Sequence, residues 1–207
     1  RHYCNYLICA GKRTDNPAAG VFIKGLVRKL PANLISFDEL EELYKQYSIQ
    51  ISVDRSKKIM FGLMLYQGLT VGELTRMERR DIKLKEGKIK IKGTERTNER
   101  MLDLHAGQVM ALQQYLSEHK REEKLFTEHR SIHNRVTYMF DQLRKLNPKV
   151  INAKQIRSSV ITHWLRKNHL RQVQYMAGHK FVSSTQRYQF NHLDDLKNEL
   201  EQHHPMS

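Results

Sequence analysis

The sequence is poor in cysteine, with only Cys4 and Cys9 among its 207 residues. Two thiols at this spacing match no zinc motif and build no disulfide framework, and they favour a reducing, cytoplasmic setting. Long apolar runs are lacking as well, and the first residues do not have the layout of a signal peptide. The sequence therefore predicts no association with a membrane.

Acidic residues are scarce relative to basic ones. The 22 Asp and Glu residues face 36 Lys and Arg residues, which gives a formal net charge of +14. A net charge this far from zero repels itself and is typical of proteins that bind a polyanion. The basic residues are spread along the whole chain instead of lining one amphipathic helix, so nucleic acid is favoured over a membrane surface.

The chain before residue 36 differs in character from the rest. The stretch YLICAGKRTDNP is typical of a helix end, with a stop at Gly11 that Pro17 reinforces. Residues 18–35 combine glycine, proline and basic residues and are interpreted as a linker. We expect residues 1–35 to be the end of an N-terminal domain plus a linker, and residues 36–207 to form a second domain.

The pattern of the second domain predicts an α+β fold that is mostly helical, with a small three-stranded antiparallel sheet. SFDE at 36–39 is a capping box that begins a helix, and IMFGLMLY at 59–66 is apolar nearly all round, as in a buried central helix that ends at Gly68. DIKLKEGKIKIK at 81–92 alternates as a hairpin, and RMLDL at 100–104 supplies a third strand. Further helices are predicted near 71, at 106–118, 131–146, 154–167, 170–177, 182–188 and 193–202.

Three chemically capable side chains occur in order in the C-terminal half. AKQIR at 153–157 contains Arg157, and MAGHKFVSSTQRY at 176–188 contains His179 and, nine residues later, Tyr188. Upstream lie LYQGLTVGELTRMERRDI at 65–82 and the lysine-rich hairpin. This ordered set resembles the catalytic domain of the tyrosine recombinase, or phage integrase, family, and TDNPAAG resembles the end of that family's core-binding domain.

The resemblance implies a site-specific recombinase that cuts and rejoins duplex DNA through a covalent 3′-phosphotyrosine, as in integration and excision of a mobile element, without metal or cofactor. Tyr188 matches the nucleophile, Arg157 the fork that binds phosphate oxygens, and His179 a further phosphate contact. Lys154 occupies the place of the family's first histidine. Lys92, at the end of the second strand, is the expected proton donor to the leaving oxygen, with Arg96 as its rival.

Contacts with DNA are expected at Lys90, Arg96, Arg100 and Thr70. Thr70 is also a departure, because the family has an arginine there and a hydroxyl supplies no charge. We expect another cation to be recruited, either from Arg76, Arg79 or Arg80, from the hairpin, or from the N-terminal domain. Two alternatives stay open: a recombinase-like DNA-binding protein that no longer cleaves, and a helix-turn-helix transcription factor built on residues 170–190.

The C-terminal segment HLDDLKNELEQ at 192–202 places Leu193, Leu196 and Leu200 on one helical stripe. In the family such a tail helix packs on a neighbouring protomer, so the resemblance implies a homotetramer of the full-length protein on DNA. The present chain alone is expected to be monomeric and to bind DNA weakly. The resemblance also places the protein in a prokaryotic cytoplasm, associated with the nucleoid.

Overall fold

The computed structural model describes residues 2–17, 33–50, 54–95, 97–119, 123–126 and 131–189. Its helices are α1 (His2–Cys9), α2 (Phe37–Gln50), α3 (Arg55–Tyr66), α4 (Val71–Arg76), α5 (Ala106–Glu118), α6 (Ile132–Leu146), α7 (Ala153–Lys167), α8 (Leu170–Ala177) and α9 (182–189). Most of the predicted linker, residues 18–32, lies outside the described residues. Arg96 and the predicted helix at 193–202 lie outside them as well. The division of the chain into two domains stays a prediction.

Helix α3 is the centre of the core, as predicted. Every residue from Ile59 to Leu65 is buried, and α2, α5, α6 and α7 all pack on this helix. It ends at Gly68, whose φ of 60° is left-handed, and the Leu69 amide donates back to the Leu63 carbonyl. A glycine suits this helix stop because a side chain is disfavoured at positive φ, and a Cβ there would lie 3.0 Å from the Trp164 ring.

The sheet has the predicted three antiparallel strands in the order β1 (Ile82–Lys83), β2 (Lys88–Ile91) and β3 (Arg100–Asp103). Ile91 lies opposite Arg100 in the register of β2 and β3. The first strand is shorter than predicted, since Leu84–Glu86 forms a 3₁₀ turn that Gly87 ends at a φ of 61°. Local turn formation there replaces the extended backbone that the alternating pattern had predicted.

Two capping boxes begin helices on either side of α3. At α2, the predicted one, the Glu39 amide donates to the Ser36 hydroxyl and the Ser36 amide donates to the Glu39 carboxylate, each at 3.2 Å. At α4, Thr70 and Glu73 repeat the arrangement at 3.2 and 2.9 Å.

The helices predicted from 106 to 188 are found within one or two residues of their expected bounds. Within the described ranges, no helix combines the length and apolar content needed to cross a bilayer.

The Thr70 cap leads to a prediction about stability. Thr70→Ala removes the hydroxyl that accepts from the Glu73 amide, so the free energy of unfolding should fall by about 1 kcal/mol. Thr70→Ser keeps the hydroxyl and is the matched control. Urea denaturation measures both variants, and an alanine variant as stable as the serine variant would contradict the capping role.

Candidate active site

Arg157 lies one turn inside α7, which begins where the Asn152 side chain accepts from the Gln155 amide. Its guanidinium donates through Nη1 to the Gly68 carbonyl and through Nη2, at 2.6 Å, to the Ala177 carbonyl. The side chain is 11% exposed. Arg157 thus joins the loop after α3 to the end of α8, which fixes the guanidinium while leaving some of its five N–H donors for a ligand.

A buried ion pair lies beside Arg157. Arg100 Nη1 is 2.6 Å from Glu73 Oε1, and neither side chain has any exposed surface. The other carboxylate oxygen of Glu73 lies 3.9 Å from Arg157 Nη1. Burial alone would raise the pKa of the Glu73 carboxyl, but the hydrogen bond and charge of Arg100, together with Arg157, lower it below its ordinary value. Glu73 is therefore an anion between two arginines.

The position of Arg100 corrects one expectation. A side chain with no exposed surface does not offer its guanidinium to a DNA backbone, so the expected direct contact with DNA does not fit this structure. The guanidinium packs against Gly178, where a Cβ would lie 2.5 Å from Arg100 Nη1 and where φ is 68°. Glycine is required there because both the space and the backbone conformation exclude a side chain.

His179 follows Gly178 directly and is held from both sides. Its Nδ1 lies 2.9 Å from the Thr185 hydroxyl of α9. The backbone of His179 forms an isolated antiparallel β-bridge with Thr97, in the segment before β3. Burial, together with the charges of Arg157 and Arg100, lowers the pKa of His179 to about 4, against a smaller opposing effect of Glu73. The imidazole is therefore neutral at neutral pH.

Tyr188 lies on α9 next to His179. The two rings are nearly parallel, with an angle of 16° and centroids 6.1 Å apart, and Tyr188 is half-buried against the core. Burial chiefly lowers the pKa of Arg157, and an ionised Tyr188 raises it, which indicates that the two side chains are near each other. The structure thus brings Arg157, His179 and Tyr188 together, although their catalytic roles stay predictions.

The predicted lysines are paired with carboxylates or exposed. Lys92 pairs with Glu78 at 2.5 Å and more loosely with Asp81 at 3.7 Å, and Lys90 pairs with Glu99 at 3.0 Å. Lys154 is exposed in the first turn of α7. In the described part of the chain, no group of three or more His, Cys, Asp or Glu residues is arranged to hold a metal ion.

Two residues of the site were missed from the sequence. Glu73 lies in LYQGLTVGELTRMERRDI at 65–82, but a glutamate in the first turn of a helix is ordinarily explained by capping alone. Thr185 is fully buried and contacts His179, yet a threonine in a polar segment carries no signal for such a contact. The six-residue separation of Thr185 from His179 becomes meaningful only once the turn before α9 is known.

The lowered pKa of His179 leads to a prediction about stability and pH. As the pH falls from about 6.5 towards 4, the unfolded chain binds a proton at His179 before the folded chain does, so the free energy of unfolding falls. His179→Gln has no such proton and should show a shallower fall over this window. His133→Gln, on an exposed ring of α6, is the control. Parallel curves for wild type and His179→Gln would contradict the prediction.

The chain is similar to known proteins in sequence and in fold. The model of the phage integrase family matches residues 33–195. The tyrosine recombinase XerC of Vibrio cholerae serotype O1 is 30% identical over 220 residues, which cover 99% of this chain and 68% of that protein. The chain belongs to the phage integrase family. The recombinase is also 30% identical over 227 residues to XerD of Proteus mirabilis, covering 99% of this chain and 69% of XerD.

Solved structures show that the recombinase has the fold of this family. XerA recombinase superposes with a TM-score of 0.68 at 24% identity, covering 86% of this chain and 67% of XerA. XerH in a post-cleavage complex with a palindromic difH substrate gives 0.70 at 19% identity, covering 86% and 54%. The predicted fold class and enzyme class, a tyrosine-type site-specific recombinase, are confirmed, and no finding supports the transcription-factor alternative.

Proposed function

We propose that the recombinase cuts and rejoins duplex DNA with Tyr188 as the nucleophile. The Tyr188 hydroxyl loses its proton to solvent as its oxygen attacks a backbone phosphorus, the bond from phosphorus to the 5′ oxygen breaks, and that oxygen leaves as a hydroxyl after taking up a proton from a general acid. The product is a 3′-phosphotyrosine. The energy of the phosphodiester is kept in the new bond, so a 5′ hydroxyl rejoins the strand by the reverse reaction. The observation that carries the proposal is the placement of the Tyr188 ring next to that of His179, with centroids 6.1 Å apart.

Arg157 is proposed to bind the scissile phosphate. Phosphoryl transfer depends mainly on positioning and on electrostatic stabilisation of the equatorial oxygens. A guanidinium presents several N–H donors in one plane and matches two phosphate oxygens at once. The bonds to the Gly68 and Ala177 carbonyls hold this plane before DNA arrives, so no reorganisation is needed during the reaction.

His179 is proposed to donate a hydrogen bond as a neutral ring. If the Thr185 hydroxyl donates to Nδ1, the proton of the neutral imidazole resides on Nε2 and faces a ligand as a donor. Thr185 then acts by fixing the tautomer. The low pKa of His179, about 4, supports a role as a neutral donor instead of a cation.

Lys92 remains the proposed donor of the proton to the leaving 5′ oxygen, with Arg96 as its rival. Its ion pairs with Glu78 and Asp81 imply that Lys92 must release both carboxylates before it reaches the DNA. Lys154 shares a helical face with Arg157 three residues away, and we propose that it adds a cation at the edge of the site. Lys90 and Thr70 stay proposed contacts of the DNA.

Duplex DNA is the proposed partner. XerH and lambda integrase, two of the similar structures, were solved bound to a difH substrate and to a COC′ core site respectively. The net charge of +14 fits such a polyanion. We further propose that residues 1–35 belong to a core-binding domain, that the full-length protein acts as a homotetramer on DNA, and that it works at the nucleoid in the cytoplasm.

Covalent capture tests the proposed function. The protein is incubated with a pool of nicked duplexes of randomised sequence, the mixture is denatured, and DNA that stays attached to protein is sequenced. An enriched sequence joined to protein through its 3′ phosphate is the expected result. Binding of duplex DNA without any adduct would overturn the proposal and favour the non-cleaving alternative.

Binding of DNA should depend steeply on salt. Each phosphate neutralised by Lys or Arg releases counterions, so the logarithm of the affinity should fall linearly with the logarithm of the salt concentration. Lys90→Gln should lower the slope by about one if Lys90 contacts a phosphate. Fluorescence anisotropy with a captured duplex measures both. Tight binding that does not change between low and physiological salt would contradict the prediction.

A further inference from the structure

The site contains a negative charge that works against the proposed reaction. Glu73 is an anion without exposed surface, and its Oε2 lies 3.9 Å from Arg157 Nη1. An anion at this distance offsets the positive charge that Arg157 presents to a phosphate, and more strongly so in a buried setting. Position 70, three residues before Glu73, holds a threonine and therefore adds no cation of its own.

We propose that Arg100 is a positioning residue for Arg157: by pairing with Glu73 it takes up the carboxylate charge and leaves the charge of Arg157 available to the DNA phosphate. This inference rests on the proposed function, because it concerns the phosphate site of the same reaction. It also identifies the cation that compensates for Thr70 as a residue of β3, outside α4.

The distances support this division of charge. Glu73 Oε1 lies 2.6 Å from Arg100, within hydrogen-bonding range, whereas Glu73 Oε2 is 3.9 Å from Arg157 and receives its hydrogen bonds from Thr70 instead. The carboxylate is thus directed to Arg100 and to the helix cap. Arg157 in turn donates hydrogen bonds to two neutral carbonyls, which hold the guanidinium in place without cancelling its charge.

The surroundings of Arg100 indicate a role other than stability. Its Nε and Nη2 atoms are buried and have no hydrogen-bond partner among the described residues. A buried ion pair with unsatisfied donors is no more stabilising than apolar residues of the same volume, because desolvation offsets the attraction between the charges. Packing and stability alone therefore do not account for an arginine at this position.

The effect of the pair on His179 points the same way. Arg100 lowers the pKa of His179 and Glu73 raises it, so the two charges act in opposite directions on the side chain that lies between Arg157 and α9. Burial chiefly lowers the pKa of Arg157, and there too Glu73 raises the pKa while Arg100 lowers it. Because Arg100 has no exposed surface, it acts through Glu73 and Arg157 and does not touch the phosphate.

A pair of variants tests the proposal. Arg100→Met leaves Glu73 without its arginine partner. Adduct formation at saturating DNA should slow by about tenfold to a hundredfold, by analogy with outer groups that orient the ligating side chains of metal sites. Glu73→Gln combined with Arg100→Met removes both charges and should recover most of that loss. The affinity for DNA should stay nearly constant in both, since the step affected is the chemical one.

Arg135→Met is the matched control. Arg135 is similarly buried and pairs with Asp54, but it lies on α6 and takes no part in the site. Its loss should lower the melting temperature without changing the rate of adduct formation per folded molecule. If Arg100→Met does not fold, the double variant decides: a folded double variant that is as slow as the loss of Arg157 would overturn the proposal. Cleavage at the wild-type rate by folded Arg100→Met would overturn it as well.

A measurement without DNA separates this proposal from the proposed function. NMR titration of the His179 ring should show a pKa above its wild-type value, about 4, in Arg100→Met, and a return towards that value in the double variant. This result is expected even if the wild type forms no adduct, in which case the proposed function fails while the charge relation stands. An unchanged pKa of His179 in Arg100→Met would overturn the inference independently of any activity.

Discussion

Tyr188→Phe is expected to abolish the covalent protein–DNA adduct while leaving DNA binding nearly intact. The substitution removes only the phenolic oxygen, which is the atom that would form the bond to phosphorus. The phenyl ring keeps the near-parallel stack on His179 and the packing against the core. The fold and the DNA-facing charges are therefore preserved, and the effect of the variant isolates the chemical step.

The adduct is measured on a denaturing gel with a captured, nicked duplex. Tyr175→Phe is the matched control, because Tyr175 is an exposed tyrosine of α8 whose hydroxyl bonds to the backbone of Met101 at the edge of β3. Its loss should leave the adduct unchanged. An adduct that persists in Tyr188→Phe, or one that disappears in Tyr175→Phe, would refute the assignment of the nucleophile.

Arg157→Ala is expected to slow cleavage by about a hundredfold to a thousandfold, the usual effect of removing one preorganised donor that stabilises developing charge. The same change leaves the Gly68 and Ala177 carbonyls without their donors, so some loss of stability accompanies it. Single-turnover rates at saturating DNA, normalised to the folded fraction, separate the two effects.

Arg157→Lys should recover only part of the rate. An ammonium supplies the charge, but it lacks the planar set of donors that reaches two carbonyls and a phosphate at once. Arg166→Ala, on an exposed residue in the last turn of the same helix, is the control and should cleave normally. Near-normal cleavage by Arg157→Ala would remove Arg157 from the proposed mechanism.

Short-range features of this fold were predictable because their causes are local. A capping box spans four residues, so SFDE sufficed to place the start of α2. Gly68 ends α3 through its own backbone conformation, and an apolar stretch with no polar face predicts a helix buried on all sides. The alternation of the hairpin predicted strands, and it failed only at Leu84–Glu86, where a turn competed locally.

The ordered motifs also singled out Arg157, His179 and Tyr188, because their residue types and spacing are set by the chemistry they resemble. Their spatial meeting, however, required α7, α8 and α9 to fold onto the loop after α3. Arg157 bonds to a carbonyl 89 residues away and to another 20 residues away. No pattern in the sequence encodes which carbonyls those are.

Burial and charge pairing were decided by tertiary structure alone. Arg100 and Glu73 are 27 residues apart, and they pair only because the fold brings these two positions of β3 and α4 together and buries both side chains. From the sequence, Arg100 was one more cation expected on the DNA, Lys92 was a free proton donor, and His179 carried no sign of its lowered pKa. Motif order singled out Arg157, His179 and Tyr188, whereas burial by distant segments decided the charges of the site and its further members, because electrostatic energies depend on burial and on neighbours in space.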